Sequence, residues 1–511
     1  MPDHTSPHLR RMSIGVPGLD EVFAGGLAAG RMYLVEGDPG AGKTTLSLQF
    51  LLDGLKTGEQ ALYVTLSESR EELVASSASH GWAIDNIVIR QYIAREDGLS
   101  ADGQTTMFHP SEVELLDAMR KVIHDIEEVN PSRVVIDSLS EIRLLAQDPF
   151  RYRRQLLELK QLFLKRGCTV LLLDDRTVHE RDRHVQSIVH GVLHLEQRQA
   201  DYGAERRRLR LSKLRGTPFR GGWHDYVIDT GGLRVFPRLV AAEHRTRLAR
   251  RPLSSGVQAL DALLGGGTQS GTSMLILGPA GSGKTSLAVQ FVVAAAKEGR
   301  KSSLFVFDES ADFLMERTAA MDLPLREHVE AGLVTIRPID PTELSPGQFA
   351  NALADAAERH HAELVVIDSL NGYLAAMPEE KHLQAQLHEM LAFLNHRGVA
   401  TLLIVAQQGM LGAHMQTPVD ASYLADTVVL LRFFEAGGRV KKAISVVKKR
   451  SGSHEDTIRE MRLDSGGIHV GAALTNFRGV LTGTPVFDGA TPARTDGMVA
   501  DAASGPKGAR A

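Results

Sequence analysis

The sequence predicts an α/β protein built twice in tandem, each copy a mainly parallel sheet flanked by helices. Three observations carry this: the chain repeats itself at long range, short apolar runs alternate with longer amphipathic stretches, and one glycine-rich motif recurs at the same point of each copy. Set side by side, Ser13 to Phe50 and Ser254 to Phe291 are identical at 17 of 38 positions, an offset of 241. Further on, VVIDSLS around Asp137 answers VVIDSLN around Asp368, and SKLRGT (Ser212 to Thr217) answers VKKRSG (Val447 to Gly452). The landmarks keep their order, and the unit is far longer than the roughly 20–50 residues of a solenoid repeat.

The copies divide the chain into an N-terminal extension (1–12), a first domain (13–240), a linker (241–252), a second domain (253–480) and a tail (481–511). The linker reads AAEHRTRLARRP, polar and basic and closed by a proline. The tail is rich in Gly, Ala, Thr and Pro, has little to bury, and is expected to be disordered. Within the first copy MYLVEG, ALYVTLS, VVID and TVLLLDD read as buried strands, and MLILG, SLFVFDE, LVVID and ATLLIVAQ follow in the second. Helical patterns such as Ser111 to Asn130 and Lys381 to Arg397 lie between them, which implies βαβ units. The later stretches, Val189 to Phe236 and Asp426 to Val470, read as shorter strand-rich segments.

Composition narrows the function classes. The 511 residues are 43% apolar and 23% charged, as in a globular protein, and the net charge is −4. Such a balance argues against a nucleic-acid coat protein or a polybasic membrane binder, although a local basic groove remains possible, and it opposes self-association little. One cysteine, Cys168, rules out an internal disulfide framework and a cysteine-based zinc cluster within one chain; in RGCTVLLL it reads as a core residue at a strand entry. MPDHTSPHLRRMS lacks the apolar core of a secretory signal, and no run reaches the roughly eighteen apolar residues of a membrane helix, so a cytoplasmic protein is expected. His179, His184, His190 and His194 cluster in sequence, but HGVLHLEQ reads as strand, where i and i+4 stand too far apart to chelate. ERRRLR (Glu205 to Arg210) reads as a solvated strand face.

GDPGAGKT and GPAGSGKT match the G-x-x-x-x-G-K-[ST] pattern, each after an apolar strand and opening a helix. The first comprises Gly37, Asp38, Pro39, Gly40, Ala41, Gly42, Lys43 and Thr44, followed by Thr45. The second comprises Gly278, Pro279, Ala280, Gly281, Ser282, Gly283, Lys284 and Thr285, followed by Ser286. Glycines let backbone N–H groups converge on phosphate oxygens, and the helix N-terminus adds partial positive charge. Lys43 and Lys284 would reach the β- and γ-phosphates of ATP, while Thr44 and Thr285 would place a hydroxyl on Mg²⁺. Asp137 and Asp368, each closing an apolar strand, are the matching Mg²⁺-ordering carboxylates. A nucleophile near the γ-phosphate also needs a base; Glu68 in LSES and Asp308 and Glu309 in FDES stand after the second strand of each copy.

On these residues, together with SIGVPGLDEVFAGGL and YLADTVVLLRFFE, the chain resembles the KaiC family of RecA-like ATPases over about residues 13 to 480. The resemblance implies tandem RecA-like P-loop NTPase domains, a homohexamer of two stacked rings, and ATP bound between neighbouring subunits. It also implies hydrolysis in the first domain and Ser/Thr autophosphorylation in the second, in a signalling or clock-type regulator with a protein partner. Glu68 and Glu309 inherit the base role and Asp308 an acidic partner role, whereas Ser67 stands where the family carries a second glutamate. Lys213, Leu214 and Arg215 match a segment reaching a neighbour's nucleotide, Lys448 and Arg450 take those places in the second domain, and Ser79 matches a residue near adenine. Ser422 matches a phosphoacceptor, with Tyr423 in place of an adjacent threonine. Two other classes stay open: a DNA-acting RecA-like motor, which the charge balance does not support, and a non-catalytic ATP-gated scaffold.

Overall fold

A computed structural model of the chain describes residues 10–92, 110–175, 184–199, 203–244, 249–340, 342–375, 383–407, 424–481 and 486–487. Two nine-stranded sheets dominate it. Numbering only their strands, the first sheet comprises β1 (Met32–Gly37), β2 (Ala61–Thr65), β3 (Val88–Gln91), β4 (Arg133–Asp137), β5 (Thr169–Asp175), β6 (Gly191–Arg198), β7 (Arg206–Leu214), β8 (His224–Asp229) and β9 (Gly232–Phe236). The second comprises β10 (Ser273–Gly278), β11 (Ser302–Val306), β12 (Val334–Pro338), β13 (Leu364–Asp368), β14 (Ala400–Ala406), β15 (Thr427–Ala436), β16 (Arg439–Lys449), β17 (Arg459–Asp464) and β18 (Gly467–Ala473). The order is β3-β2-β4-β5-β1-β6-β7-β8-β9 in one and β12-β11-β13-β14-β10-β15-β16-β17-β18 in the other, the same path twice. The first six strands in each order run parallel and the last three antiparallel. The expected α/β fold is therefore present in both halves, and the strand-rich ends are its antiparallel extensions.

The central parallel strands are mostly apolar because both faces are covered, and the polar residues gather at strand ends and on the outer strands. One face of the first sheet packs on the helix Lys43–Lys56 through Leu46, Leu48, Phe50 and Leu51. The other packs on Pro110–Val129, Leu139–Ala146 and Pro149–Arg166. The last of these shows how sequence makes a helix here. Asp148 caps it by accepting from the amides of Phe150 and Arg151, Pro149 opens it, and Gly167 at φ 71° ends it. Tyr152, Leu156, Leu159 and Phe163 recur at helical spacing and are buried. Emptying one such position, as in Phe163→Ala, costs about 3–5 kcal/mol. Cys168 is buried at the strand entry, its Sγ 3.0 Å from the Pro131 carbonyl oxygen.

The two halves meet through backbone as well as side chains. Asp225 on β8 accepts from the Gly347 amide at 2.7 Å, at the start of the helix Pro346–Glu358. A Cβ on Gly347 would stand 2.8 Å from that carboxylate, so the close approach requires glycine. Arg206 and the Ala204 amide both donate to the Thr342 carbonyl. In the stretch expected to be a linker, Ala241–His244 forms a 3₁₀ turn on the helix Leu383–His396, its Ala241 amide donating to Glu389. In the stretch expected to be a tail, Val486–Phe487 pairs with Phe477–Arg478; residues 488–511 lie outside the described residues.

Candidate nucleotide-binding clefts

In each half the glycine-rich loop joins the C-terminal end of the central strand to a helix whose first residue is the motif lysine. The loop turns because Gly40 and Gly42 adopt φ of 80° and 87°, and Gly281 and Gly283 φ of 75° and 102°. Other residues enter that region only at a cost. Asp137 closes β4 and Asp368 closes β13, beside the central loop, and the peptide bond after each is cis. Glu68 and Glu309 sit just before the helices Arg70–Ser79 and Ala311–Ala319, which Ser69 and Ser310 cap.

The first cleft, about 400 Å³, gathers Gly40, Gly42, Lys43, Thr44, Glu68 and Asp137, with Pro39, Thr45 and Ser67 also on its wall. Lys43 Nζ donates to the carbonyls of Gly37 and Asp38 at 2.9 and 3.0 Å and lies 2.7 Å from Asp175. Thr44 Oγ1 stands 3.5 Å from Asp137 Oδ2, which accepts from the Tyr63 hydroxyl at 2.6 Å. Ala41 accepts from the Tyr226 hydroxyl at 2.6 Å, which ties the loop to β8. Burial, then the nearby carboxylates of Asp137, Glu72 and Asp175, push the Glu68 carboxyl up. Asp137 is likewise raised, chiefly by burial.

The second cleft, about 650 Å³, gathers Lys284, Thr285, Asp308, Glu309, Arg317 and Asp368, with Ala280, Gly281, Gly283, Ser286 and Ser369 also on its wall. Lys284 Nζ donates to the Pro279 carbonyl at 2.8 Å, and burial lowers its pKa. Thr285 donates to Asp368 at 2.6 Å, Ser369 donates to Asp308 at 2.8 Å, and Arg317 pairs with Glu309 at 2.7 Å. Ser282 is buried beneath Gly278, where an added Cβ would stand 2.8 Å from its hydroxyl. Burial, with the Glu309 and Asp308 carboxylates nearby, pushes Asp368 up to about 6.

These residues fit a nucleotide with a divalent cation. The loops offer backbone amides at a helix N-terminus, and the threonine hydroxyl and buried aspartate supply the oxygen pair a hard cation takes. The copies differ at three points that periodicity did not flag. Asp175 and Tyr63 of the first cleft face Ala406 and Leu304 at the matching strand positions of the second. Arg317 of the second has Ser76 as its counterpart in the first.

The other expected site residues are placed elsewhere. Ser79 is not on the cleft wall; its hydroxyl bonds to the Ser76 carbonyl, and Ser76 lines the cleft instead. Leu214 pairs with Gly191, itself beside Tyr33, so the Lys213–Arg215 segment lies at the opposite end of the central strands from the loop. There Lys213 donates to the Gln186 and Val189 carbonyls and Arg215 to that of Ser187. Lys448 and Arg450 occupy the matching end of the second sheet, against Ala425 and Asp426. Ser422 and Tyr423 lie outside the described residues.

Two such clefts on two mainly parallel sheets define a tandem P-loop protein of the RecA-like α/β class. The family model for the KaiC ATPase matches residues 12–240 and 253–475, and the chain belongs to the KaiC family of ATPases. It is 25% identical to the circadian clock protein KaiC3 of Synechocystis sp., over 95% of this chain and 97% of that relative. It is 27% identical to the circadian clock oscillator protein KaiC of Acaryochloris marina, over 94% and 92%. The KaiC oscillator protein of Parasynechococcus marenigrum is 26% identical over 94% of each chain. Among the described residues no helix is long and apolar enough to cross a membrane.

Proposed function

We propose that the chain is a Mg²⁺-dependent ATPase that assembles as a homohexamer, with ATP at subunit interfaces, and that its second domain phosphorylates itself on Ser422. The observation that carries the assembly is the polarity of each domain. The phosphate loop, aspartate and glutamate stand at one end of the sheet, and the cationic pairs Lys213/Arg215 and Lys448/Arg450 at the other. Lys213 and Lys448 sit level with strand positions three residues before the loops, about 10 Å away along the strand. A cation so placed serves a nucleotide best from a neighbouring chain, where it neutralises developing phosphoryl charge.

Mg²⁺, which Thr285 and Asp368 would hold, would supply positive charge that offsets the charge of the phosphates. Lys284 binds the phosphoryl oxygens. Glu309, fixed by Arg317, accepts the proton of the attacking hydroxyl, with Ser369 steadying Asp308 beside it. In the first domain Lys43, Thr44, Asp137 and Glu68 take these roles, with water as nucleophile. The circadian-clock names of the relatives support a clock-type or signalling role; under this reading the chain acts in the cytoplasm and a protein partner reads its state.

Phosphopeptide mapping after incubation with γ-labelled Mg·ATP, with released phosphate counted alongside, tests this reading. Label on Ser422 that disappears in Lys284→Ala is expected. Phosphate release without protein label would overturn the autokinase and leave hydrolysis alone. Turnover stimulated by DNA would favour the motor reading, and ring assembly without turnover the scaffold.

A further inference from the structure

A second constellation lies on the first sheet's other face, away from the cleft wall. Leu193 and Leu195 pack toward the helix Lys43–Lys56, so His194 between them faces the opposite side. Its Nε2 lies 2.8 Å from Ser212 Oγ on β7, and its Nδ1 lies 2.5 Å from Glu36 Oε1 on β1. Gln186 donates to both Glu36 oxygens, at 3.1 and 3.2 Å, and so fixes the carboxylate. His194 is buried and Ser212 exposed. Nδ1 meets Glu36 as a close ionic contact rather than along a ring N–H bond, and Nε2, beside the serine hydroxyl, is placed to take its proton.

Backbone geometry presents the serine. Val192 pairs with Lys213 and Leu193 with Leu211, so Ser212 is the extra residue of a β-bulge. Bulges leave one residue outside the ladder and redirect its side chain. The second domain is an internal control: it keeps the bulge, at Val447, but carries Leu277 and Leu430 at the positions of Glu36 and His194. The fold alone therefore does not demand the polar trio. Arg210, paired in register with His194 and resting 4.7 Å from the Trp223 ring, brings a cation to the same edge.

We propose that Ser212, His194 and Glu36 form a nucleophilic serine site, separate from the nucleotide clefts, that cleaves small carboxylic esters. Ser212 Oγ attacks the carbonyl carbon as its proton passes to His194 Nε2. The bond from that carbon to the alcohol oxygen breaks, and His194 returns the proton to the departing alcohol. Water, giving a proton to the same nitrogen, then attacks the acyl-serine; the acyl–Oγ bond breaks, His194 returns that proton to Ser212 Oγ, and the carboxylic acid is released. Glu36 stands beside the imidazole and balances its charge, and Arg210, in register with His194, offers positive charge to the developing oxyanion.

The test uses the full chain without nucleotide, so it does not depend on the ATPase reading. A fluorophosphonate probe should label Ser212, as located by peptide mapping, and p-nitrophenyl acetate should turn over. Ser212→Ala should abolish both. His194→Gln should slow both at least about 100-fold. Glu36→Gln should slow them less, and Val447→Ser, without a histidine behind it, should stay unlabelled. Thermal melting keeps these readings separate from misfolding. A Ser212 labelled no faster than in the denatured chain, or labelled equally in His194→Gln, would overturn the site. Label on Ser212 from γ-labelled ATP without ester turnover would overturn its substrate class.

Discussion

The two clefts hold their motif lysines differently, and Asp175→Ala isolates that difference. Lys43 is 10% exposed and lies 2.7 Å from Asp175, which is 34% exposed; at the matching place the second cleft has Ala406. An incoming γ-phosphate must displace this carboxylate and then sit near its charge. At an effective dielectric near 20, unit charges about 4 Å apart interact by about 4 kcal/mol. Solvent at a one-third exposed carboxylate and the rehydration of Asp175 offset most of that, leaving about 1–1.5 kcal/mol of net opposition to binding. Asp175→Ala should therefore tighten ATP in the first cleft by about tenfold. Titration calorimetry in a Lys284→Ala background, where the second cleft is silent, reads this directly. Equal or weaker binding in Asp175→Ala would refute the reasoning and place Asp175 among the groups that order the cation's water shell.

Glu309→Gln should preserve nucleotide binding but remove phosphate transfer by the second domain, and Arg317→Ala should lower transfer less; self-labelling at the wild-type rate in Glu309→Gln would disprove the base role. Lys43→Ala should weaken ATP in the first cleft and with it ATP-dependent assembly, which sedimentation with and without ATP checks. Acid should destabilise the fold through two histidines. Burial lowers His190 and His224 to about 4, below the ordinary value near 6.5, so the unfolded chain binds more protons between those limits. Their contribution is complete above about pH 6.5 and is lost as the pH falls toward 4, about 1 kcal/mol for each by pH 5.5. His224 Nδ1 accepts from the Arg238 amide, a bond that protonation breaks. Urea midpoints at pH 7.5 and 5.5 should thus differ, and by less in His224→Gln; equal midpoints would contradict the shifts.

Much of this site was legible from spacing because its parts lie where strands and loops end. Both phosphate loops, Asp137 and Asp368, and Glu68 and Glu309 follow from local motifs and their recurrence, and the structure brings each set together. Tyr63 was hidden inside an apolar run, and Asp175, though it closes β5, has no acidic counterpart in the second copy, so only the pairing of β2 with β4 and of β5 with β1 discloses their direction. Ser79 lies one helical turn from Ser76, which lines the cleft, and its hydroxyl bonds to the Ser76 carbonyl. The trio of Glu36, His194 and Ser212 draws on three strands and a bulge, and period-two reading along one strand assigned its histidine correctly to a strand without revealing its partners.

One strand end belongs to both domains. Asp225 takes the amide that opens a second-domain helix, and its neighbour Tyr226 holds the Ala41 carbonyl of the first phosphate loop. Adjacent residues on a strand cannot shift independently by more than the slack of one peptide unit. A displacement of Pro346–Glu358 is therefore also a displacement at the first loop's anchor. Thermodynamic reciprocity then fixes the exchange between the domains: whatever factor a second-domain state imposes on nucleotide affinity in the first, first-domain nucleotide imposes on that state in return.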